Sequence, residues 1–194
     1  TLWIYTNQGS PQGRVVAVDP RNPAREAWRE IVPERKDAVI QNLSVAKGLL
    51  GVEYLRNASS AIELFGFDGK PAGELKLPGI GSAELAVESD RTEAYLGFKS
   101  YNYPATIFRV DLAKPAAEPE LWERPQVPVD PATVEVKQVW YPSKDGTRVS
   151  MFIVHRKGLA LDGARPTILY GYGGFNVSET PTFQATLFPW LEDG

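Results

Sequence analysis

The sequence contains no cysteine and only one histidine, His155, among its 194 residues. Disulfide bonds and thiolate metal sites are therefore excluded, and so is a metal site built from several histidines. No cofactor is expected from this composition. The absence of cysteine fits both reducing and oxidising compartments, so the cellular location stays open.

An excess of charge of one sign is also lacking. The 21 basic and 24 acidic residues give a net charge of −3, and the two signs alternate along the chain. Neither nucleic acid nor an anionic membrane surface is therefore an expected partner. No apolar run reaches the roughly 18 residues that a membrane-spanning helix needs.

Neither end of the chain has the character of a natural terminus. The strand-like segment 2–5 follows the first residue at once, without the basic and apolar stretches of a signal peptide. The last residues, 191–194, resemble a helix end with no tail after it. We expect the chain to be an internal segment of a longer protein.

A repeat is present in the first half. Three β-rich runs each close with an apolar residue and then an aspartate, and these aspartates, Asp19, Asp68 and Asp111, are 49 and 43 residues apart. Another strand candidate precedes each run, at 2–6, 49–55 and 93–98. Short strands at a period in the forties predict four-stranded propeller blades, with a β-sandwich as the alternative.

Two further segments are predicted to be outer strands of these blades. They are 28–32 and 73–77, and both alternate apolar and polar residues as a half-exposed edge strand does. Proline and glycine cluster in the connections between the runs, where a missing backbone donor is tolerated. No catalytic constellation is present in this half of the chain.

A domain boundary is predicted near residue 131. Five prolines lie between Lys114 and Pro131, and proline favours an extended, stiff backbone. We interpret this stretch as a connector between domains, although a long surface loop within one domain is an alternative. The predicted domains are residues 1–131 and 132–194.

The second domain shows a different order of elements. Segments 134–141 and 147–156 flank Asp145-Gly146, a pair favoured in tight hairpins. A short apolar strand is predicted at 166–170, followed by a glycine-rich loop and a helix that begins at Thr180-Pro181. An apolar stripe is predicted along this helix at Phe183, Leu187, Trp190 and Leu191. Pro189 lies within the stripe and should kink the helix or end it. An α/β-hydrolase sheet can begin in this order.

The glycine-rich loop, with the sequence Tyr-Gly-Tyr-Gly-Gly-Phe at 170–175, is the candidate functional site. Paired glycines permit a positive φ and a close approach of the backbone to a ligand. In α/β-hydrolases the corresponding loop supplies a donor to the oxyanion hole, and the phenol of Tyr172 is suited to this role. The spacing matches no phosphate-binding loop, and a purely structural turn is the alternative.

This loop and the residues after it, through Pro181, closely resemble the start of the peptidase domain of prolyl oligopeptidases. Further similar stretches lie at 101–104, 141–147 and 151–158. The resemblance implies the last blades of a seven-bladed β-propeller followed by the N-terminal part of an α/β-hydrolase domain. It also implies a serine peptidase that cleaves short peptides after proline, located in the cytoplasm or, alternatively, in the periplasm.

Carried over by position, the resemblance makes Tyr172 the oxyanion-hole tyrosine and Phe175 an aromatic wall of the proline-binding S1 pocket. The Gly-Phe-Asn string at 174–176 favours the prolyl branch of the family. An acyl-aminoacyl or dipeptidyl peptidase of the same architecture remains an alternative, as does a non-enzymatic propeller that binds peptides or proteins.

The catalytic triad is not expected within this chain. No serine lies in a Gly-x-Ser-x-Gly elbow, and the resemblance places His155 in a strand as a structural residue. The nucleophile, acid and base should therefore lie outside it, and the chain alone should be inactive. Its expected partners are short proline-containing peptides and the remaining part of the same enzyme.

Overall fold

The computed structural model describes residues 1–193, so Gly194 of the predicted second domain lies outside the described residues. Antiparallel strands dominate this part of the chain. None of the helices within it has the length and apolar character needed to cross a membrane. The strands are β1 (Leu2–Thr6), β2 (Arg14–Val18), β3 (Arg29–Val32), β4 (Val39–Ala46), β5 (Leu49–Arg56), β6 (Ser59–Gly66), β7 (Pro71–Glu74), β8 (Ser82–Val87), β9 (Glu93–Ser100), β10 (Tyr103–Asp111), β11 (Glu120–Glu123), β12 (Val134–Pro142) and β13 (Arg148–Arg156).

The first eleven strands form three stacked sheets. Their orders are β1-β2-β3, β4-β5-β6-β7 and β8-β9-β10-β11, so every strand pairs with its neighbour in sequence. Two sheets of four strands and one of three, each a simple meander, are propeller blades. The predicted repeat is confirmed, because every run that closes with aspartate pairs with the strand candidate that precedes it.

Two hydrophobic cores lie between these blades. The first contains buried residues from the first and second sheets, among them Val15, Ile31, Leu50 and Tyr54. The second contains residues of the second and third sheets, such as Leu64, Leu96, Phe98 and Phe108, among others. Each core is thus shared by two neighbouring blades. A two-sheet sandwich would bury its apolar side chains in a single layer, so this alternative is excluded.

The aspartate of each repeat has a local structural role. The carboxylates of Asp19, Asp68 and Asp111 accept the backbone N–H two residues further along, at 3.0, 3.1 and 3.0 Å. Such Asx turns replace the ladder hydrogen bonds that the chain loses as it leaves a strand. The repeat seen in the sequence is therefore a repeated turn that follows the penultimate strand of each blade, which is β2, β6 or β10.

One of the two predicted outer strands forms where expected, and the other is displaced. The segment at 28–32 forms β3 from Arg29 onwards, whereas only the first two residues of 73–77 belong to β7, which spans Pro71–Glu74. Beyond it, Leu75 is buried, and Lys76 donates its backbone N–H to the Pro115 carbonyl at 2.9 Å. Leu75 still donates its backbone N–H to the Ile62 carbonyl of β6 at 2.8 Å, so the chain leaves the sheet after Leu75 and its next hydrogen bond is to the loop that follows β10.

The proline-rich stretch is not a connector along its whole length. Residues 120–123 form β11, which pairs with β10 and completes the third blade. Prolines at 119 and 125 flank this strand but are absent from it, so its backbone donors remain available for the ladder. Only the residues after β11 join the propeller to the part that follows.

The predicted hairpin after residue 131 is confirmed. Strands β12 and β13 pair without a break, from Val134 opposite Arg156 to Pro142 opposite Arg148. Gly146 has a φ of +84° in the connecting turn, and the carboxylate of Asp145 accepts the backbone N–H of Thr147 at 3.0 Å.

The strand predicted at 166–170 is wrong. These residues lie outside the strands, and Ile168 and Leu169 are 62% and 84% exposed. A strand is stable only when its backbone groups pair with a neighbour, and β12 and β13 form a sheet of their own. The segment is apolar enough for a covered strand but has no ladder partner among the described residues.

The helix predicted from Thr180-Pro181 begins later. A 3₁₀ turn at Ala185–Leu187 leads into α1 (Phe188–Asp193). Pro189 is the second residue of α1, where the missing N–H costs nothing, so this proline starts the helix rather than ending it. The predicted apolar stripe is also wrong, because Leu187 and Trp190 are exposed and Phe188 is the residue that is buried.

Candidate functional site

The segment from residue 132 onwards packs against one face of the propeller. Three propeller residues at the same end of their blades contact it: Asn57 in the β5–β6 turn, Ser82 at the start of β8 and Asn102 in the β9–β10 turn. We call this end the turn face. The Ser82 hydroxyl donates to the Pro181 carbonyl at 2.8 Å, and the Asn102 amide donates to the Val134 carbonyl at 3.0 Å.

Further contacts hold the same segment in place. Gln138 of β12 donates its amide to the Asn57 carbonyl. The ring of Tyr101 packs against Phe152 of β13, with 5.5 Å between the ring centroids. These contacts place the glycine-rich loop, which lies between β13 and Pro181, on a segment anchored to the turn face at both ends.

The glycine-rich loop itself is open to solvent. Residues 170–177 adopt no regular secondary structure. Tyr172 is 54% exposed and Phe175 is 93% exposed, which is unusual for two large aromatic side chains so close in sequence. The structure therefore brings the two predicted site residues together on one exposed loop. Their roles in catalysis and substrate binding stay predictions.

The backbone of the loop is left-handed at three of four consecutive residues. Gly173, Phe175 and Asn176 have φ values of +70°, +52° and +56°. The backbone N–H of Val177 donates to the Gly174 carbonyl at 3.0 Å, which closes a four-residue turn. Two central residues with positive φ are the mark of a type I′ turn. We call residues 174–177 the aromatic turn.

Sequence reasoning placed the special backbone at the glycine pair and missed the aromatic turn. Glycine and asparagine tolerate a positive φ, but a phenylalanine in this conformation is strained. Asn176 was the available signal, because asparagine is favoured at such positions. Phe175 itself gave no signal, because aromatic residues are poor candidates for the central positions of a type I′ turn.

The Tyr172 ring lies beside Gly174, on the side where a side chain would project. A Cβ atom built on Gly174 would lie 3.5 Å from Cε1 of Tyr172, whereas Gly171 and Gly173 have open space around them. A side chain at residue 174 would therefore be in van der Waals contact with the ring. The tyrosine and the first residue of the aromatic turn are thus neighbours in space.

Two surface cavities are lined by other residues. One of about 460 Å³ includes Arg56 and Glu74, and one of about 200 Å³ includes Ser100 and Asn102. Neither is lined by Tyr172 or Phe175. Within residues 1–193, no group of three or more histidine or acidic side chains is arranged to hold a metal ion.

His155 is a buried residue of β13. Its Nδ1 lies 2.8 Å from the Arg156 carbonyl, so this nitrogen carries the proton. Its Nε2 lies 3.7 Å from Oε2 of Glu135 and has no hydrogen-bond partner among the described residues. These contacts are a carbonyl and a carboxylate, and they include no serine hydroxyl.

Two buried ionisable groups lie in the blades rather than at the loop. Burial raises the pKa of Glu53, although its Oε1 accepts hydrogen bonds from the Leu85 N–H and the Asn42 amide at 3.3 and 3.1 Å. Burial, and after it the charge of Glu63, raises the pKa of Tyr54 to about 12. Both groups lie within the stack of blades, so their shifted pKa values concern stability.

Comparison with known proteins agrees with this architecture. The family model of the prolyl oligopeptidase N-terminal β-propeller domain matches residues 1–122. A prolyl endopeptidase of Elizabethkingia miricola is 35% identical over 195 residues, which cover 100% of this chain and 27% of that protein. The chain therefore spans about a quarter of the length of this curated relative.

Solved structures agree in fold as well as in sequence. A structure from a study of two prolyl endopeptidases superimposes with a TM-score of 0.88 at 43% identity, over 99% of this chain and 28% of that one. Prolyl oligopeptidase B from Galerina marginata, bound to a 35mer hydrolysis and macrocyclization substrate, gives a TM-score of 0.85 at 33% identity, over 98% of this chain and 27% of that one. The chain thus belongs to the prolyl oligopeptidase family, whose N-terminal β-propeller domain is matched by residues 1–122.

Proposed function

We propose that this chain is part of a serine endopeptidase that hydrolyses short peptides on the carboxyl side of proline. In this proposal residues 1–131 are the last blades of a seven-bladed propeller, and residues 132–194 begin an α/β-hydrolase peptidase domain. The family membership and the exposed aromatic loop support it. The relative from Elizabethkingia miricola is named a prolyl endopeptidase, and prolyl oligopeptidase B from Galerina marginata was solved with a bound 35mer hydrolysis and macrocyclization substrate.

Tyr172 supplies the oxyanion-hole donor in this proposal. Attack on a scissile carbonyl moves negative charge onto its oxygen, and a fixed phenol O–H aimed at that oxygen stabilises the transition state more than the substrate. The observation that carries the proposal is the half-exposed Tyr172 ring beside Gly174, in the loop that the resemblance assigns to the oxyanion hole. The exposed phenol is accessible to a carbonyl oxygen, as an oxyanion donor must be.

Phe175 forms one wall of the S1 pocket. Its ring is 93% exposed, so it is available to a ligand. A flat aromatic face complements the apolar pyrrolidine ring of proline and contributes buried area on binding. A phenylalanine held in a strained backbone conformation is itself a reason to look for function at this position.

The nucleophile, acid and base come from a part of the enzyme outside this chain, which alone is inactive. The mechanism follows the Ser-His-Asp scheme, with an acyl-enzyme intermediate. In this proposal the propeller limits the access of large substrates, which the contacts between the turn face and the segment from residue 132 onwards support. We propose a cytoplasmic location.

Tyr172→Phe in the full-length peptidase tests the oxyanion role. The variant keeps the ring and its packing but removes the donor, so we expect kcat to fall by about one to three decades with little change in KM. The assay is hydrolysis of an N-terminally blocked chromogenic peptide with proline at the cleavage site. A blocked substrate also separates an endopeptidase from a dipeptidyl peptidase.

Tyr170→Phe is the matched control, because Tyr170 lies in the same loop and is 75% exposed. Its kcat should equal that of the unmodified enzyme. The oxyanion role is refuted if the Tyr172 and Tyr170 variants retain the same activity.

A further inference from the structure

The aromatic turn combines two residues that seldom occupy its central positions together. Phe175 and Asn176 both have positive φ, and the turn is closed by the Val177 N–H to Gly174 carbonyl hydrogen bond. Type I′ turns favour asparagine, aspartate and glycine at the two centres. Phenylalanine is not among these, so the preference for this turn must come from its other central residue.

Asn176 has the backbone tolerance that Phe175 lacks. Asparagine populates the left-handed region far more readily than residues with a branched or bulky β-carbon. Within this chain neither residue is buried, so no side chain of residues 1–192 forces the conformation. The intrinsic preference of Asn176 therefore contributes directly to how much of the time the turn is formed.

The direction of the Phe175 side chain depends on this turn. If residue 176 returned to the ordinary β or αR region, the hydrogen bond between 174 and 177 would be lost and the chain direction at 175 would change. Gly174, the first residue of the turn, lies beside the Tyr172 ring. A change at residue 176 would thus reach the proposed S1 wall without touching the substrate.

We infer that Asn176 is a positioning residue, which sets specificity for proline by holding Phe175 in the aromatic turn. This inference rests on the proposed S1 role of Phe175. Asn176 does not contact the substrate in this account. Asn176 acts by raising the population of the left-handed backbone conformation at residue 176. The preference for proline should therefore be highest with glycine or asparagine at this position, lower with alanine and lowest with valine.

The test uses the full-length peptidase and two blocked chromogenic reporters, with proline or alanine at the cleavage site. For Asn176→Val we expect kcat/KM on the proline reporter to fall about tenfold, which corresponds to about 1.4 kcal/mol. On the alanine reporter the change should be less than threefold, so the proline-to-alanine ratio falls. Asn176→Ala should give a smaller drop, and Asn176→Gly should restore the ratio.

The β4–β5 turn offers a control in the second blade, at the end opposite the turn face. Gly48 has a φ of +75° in this turn, and a Cβ atom built on it would meet nothing within 4 Å. Gly48→Val therefore introduces the same backbone conflict as Asn176→Val, also at an exposed position. It should lower the thermal unfolding temperature but leave the proline-to-alanine ratio unchanged.

Phe175→Ala separates the inference from the proposed function. If Phe175→Ala leaves the ratio unchanged, the S1 role itself fails, and the inference fails with it. If Phe175→Ala lowers the ratio but Asn176→Val does not, only the positioning role is overturned. Equal losses in Asn176→Gly and Asn176→Val would also overturn it, because the side chain rather than the backbone would then be required.

Discussion

The hydroxyl of Tyr54 is the clearest energetic cost within the blades. The residue is 2% exposed in the first core, and its hydroxyl has no hydrogen-bond partner among the described residues. An unsatisfied buried polar group costs about 1–3 kcal/mol. Tyr54→Phe keeps the ring and its packing with Arg35, whose guanidinium lies 5.4 Å from the ring centroid. We expect the variant to be more stable at pH 7 by about 1 kcal/mol.

The same hydroxyl makes stability depend on alkaline pH. Burial, followed by the charge of Glu63, raises the pKa of Tyr54 from 10.0 to about 12, while Arg35 opposes the shift. Because the pKa of Tyr54 is higher in the folded protein than in the unfolded chain, the folded state favours the neutral phenol. The stability of the folded protein is therefore unaffected by this group below pH 10, and it falls as the pH rises from 10 to 12. Two units correspond to at most about 3 kcal/mol. The phenylalanine variant lacks this loss.

Urea unfolding of the full-length protein at pH 7, 9, 10 and 11, followed by tryptophan fluorescence, measures both effects. The advantage of Tyr54→Phe should grow above pH 10. Tyr141→Phe is the control, because Tyr141 is 45% exposed and its removal should change nothing. The reasoning is refuted if Tyr54→Phe is the less stable protein at pH 7, or if its advantage stays constant from pH 9 to 11.

Two further predictions concern the blades. Burial raises the pKa of Glu53, so its stabilising contribution is present below pH 4.5 and is lost as the pH rises through the folded pKa. Glu53→Gln keeps an acceptor for Leu85 and Asn42, and it should raise the melting temperature at pH 7 but not at pH 4; a lower value at pH 7 would contradict this. Asp111→Ala should lower the free energy of unfolding by about 1 kcal/mol, whereas Asp111→Asn keeps the acceptor and should lose less. Chemical denaturation compares the two, and equal losses would exclude the Asx turn as the cause.

The propeller could be predicted because its signals are local. Each repeat ends in an aspartate that bonds its own backbone two residues later, and this needs no distant partner. The alternation along strands such as β9 places Ala94, Leu96 and Phe98 on one buried face, as a period of two requires. The strand β11 was not predicted, because its four residues lie between prolines in a stretch that was interpreted as a connector.

The elements after β13 could not be predicted as well, because their structure depends on neighbours. An apolar segment such as 166–170 forms a strand only beside another strand. Pro189 allows either a helix that ends before it or a helix that begins one residue before it. The second arrangement is the one observed, and in it Phe188 is buried against Phe183 with 5.5 Å between the ring centroids. Nothing local in the sequence distinguishes the two.

For the candidate site, the sequence identified the loop but not its conformation. Tyr172 was predicted from the glycines around it, and the structure places it against Gly174. The left-handed Phe175 runs against the preference of its own residue type. Functional sites are where the conformational preference of a residue and its observed conformation are expected to disagree. Here the disagreement lies at Phe175, the residue proposed to contact the substrate.

Stability and specificity should be separable in this protein. Tyr54, Glu53 and Asp111 act through contacts within the blades, whereas Phe175 and Asn176 are exposed and their turn bonds only to itself. Substitutions without shared partners add in free energy to within about 0.5 kcal/mol. A protein carrying both Tyr54→Phe and Asn176→Val should therefore combine the stability of the first with the reduced proline-to-alanine ratio of the second. If the blade substitution restored the ratio, the aromatic turn would have to be coupled to the core through the turn face, by way of contacts such as that between Ser82 and Pro181.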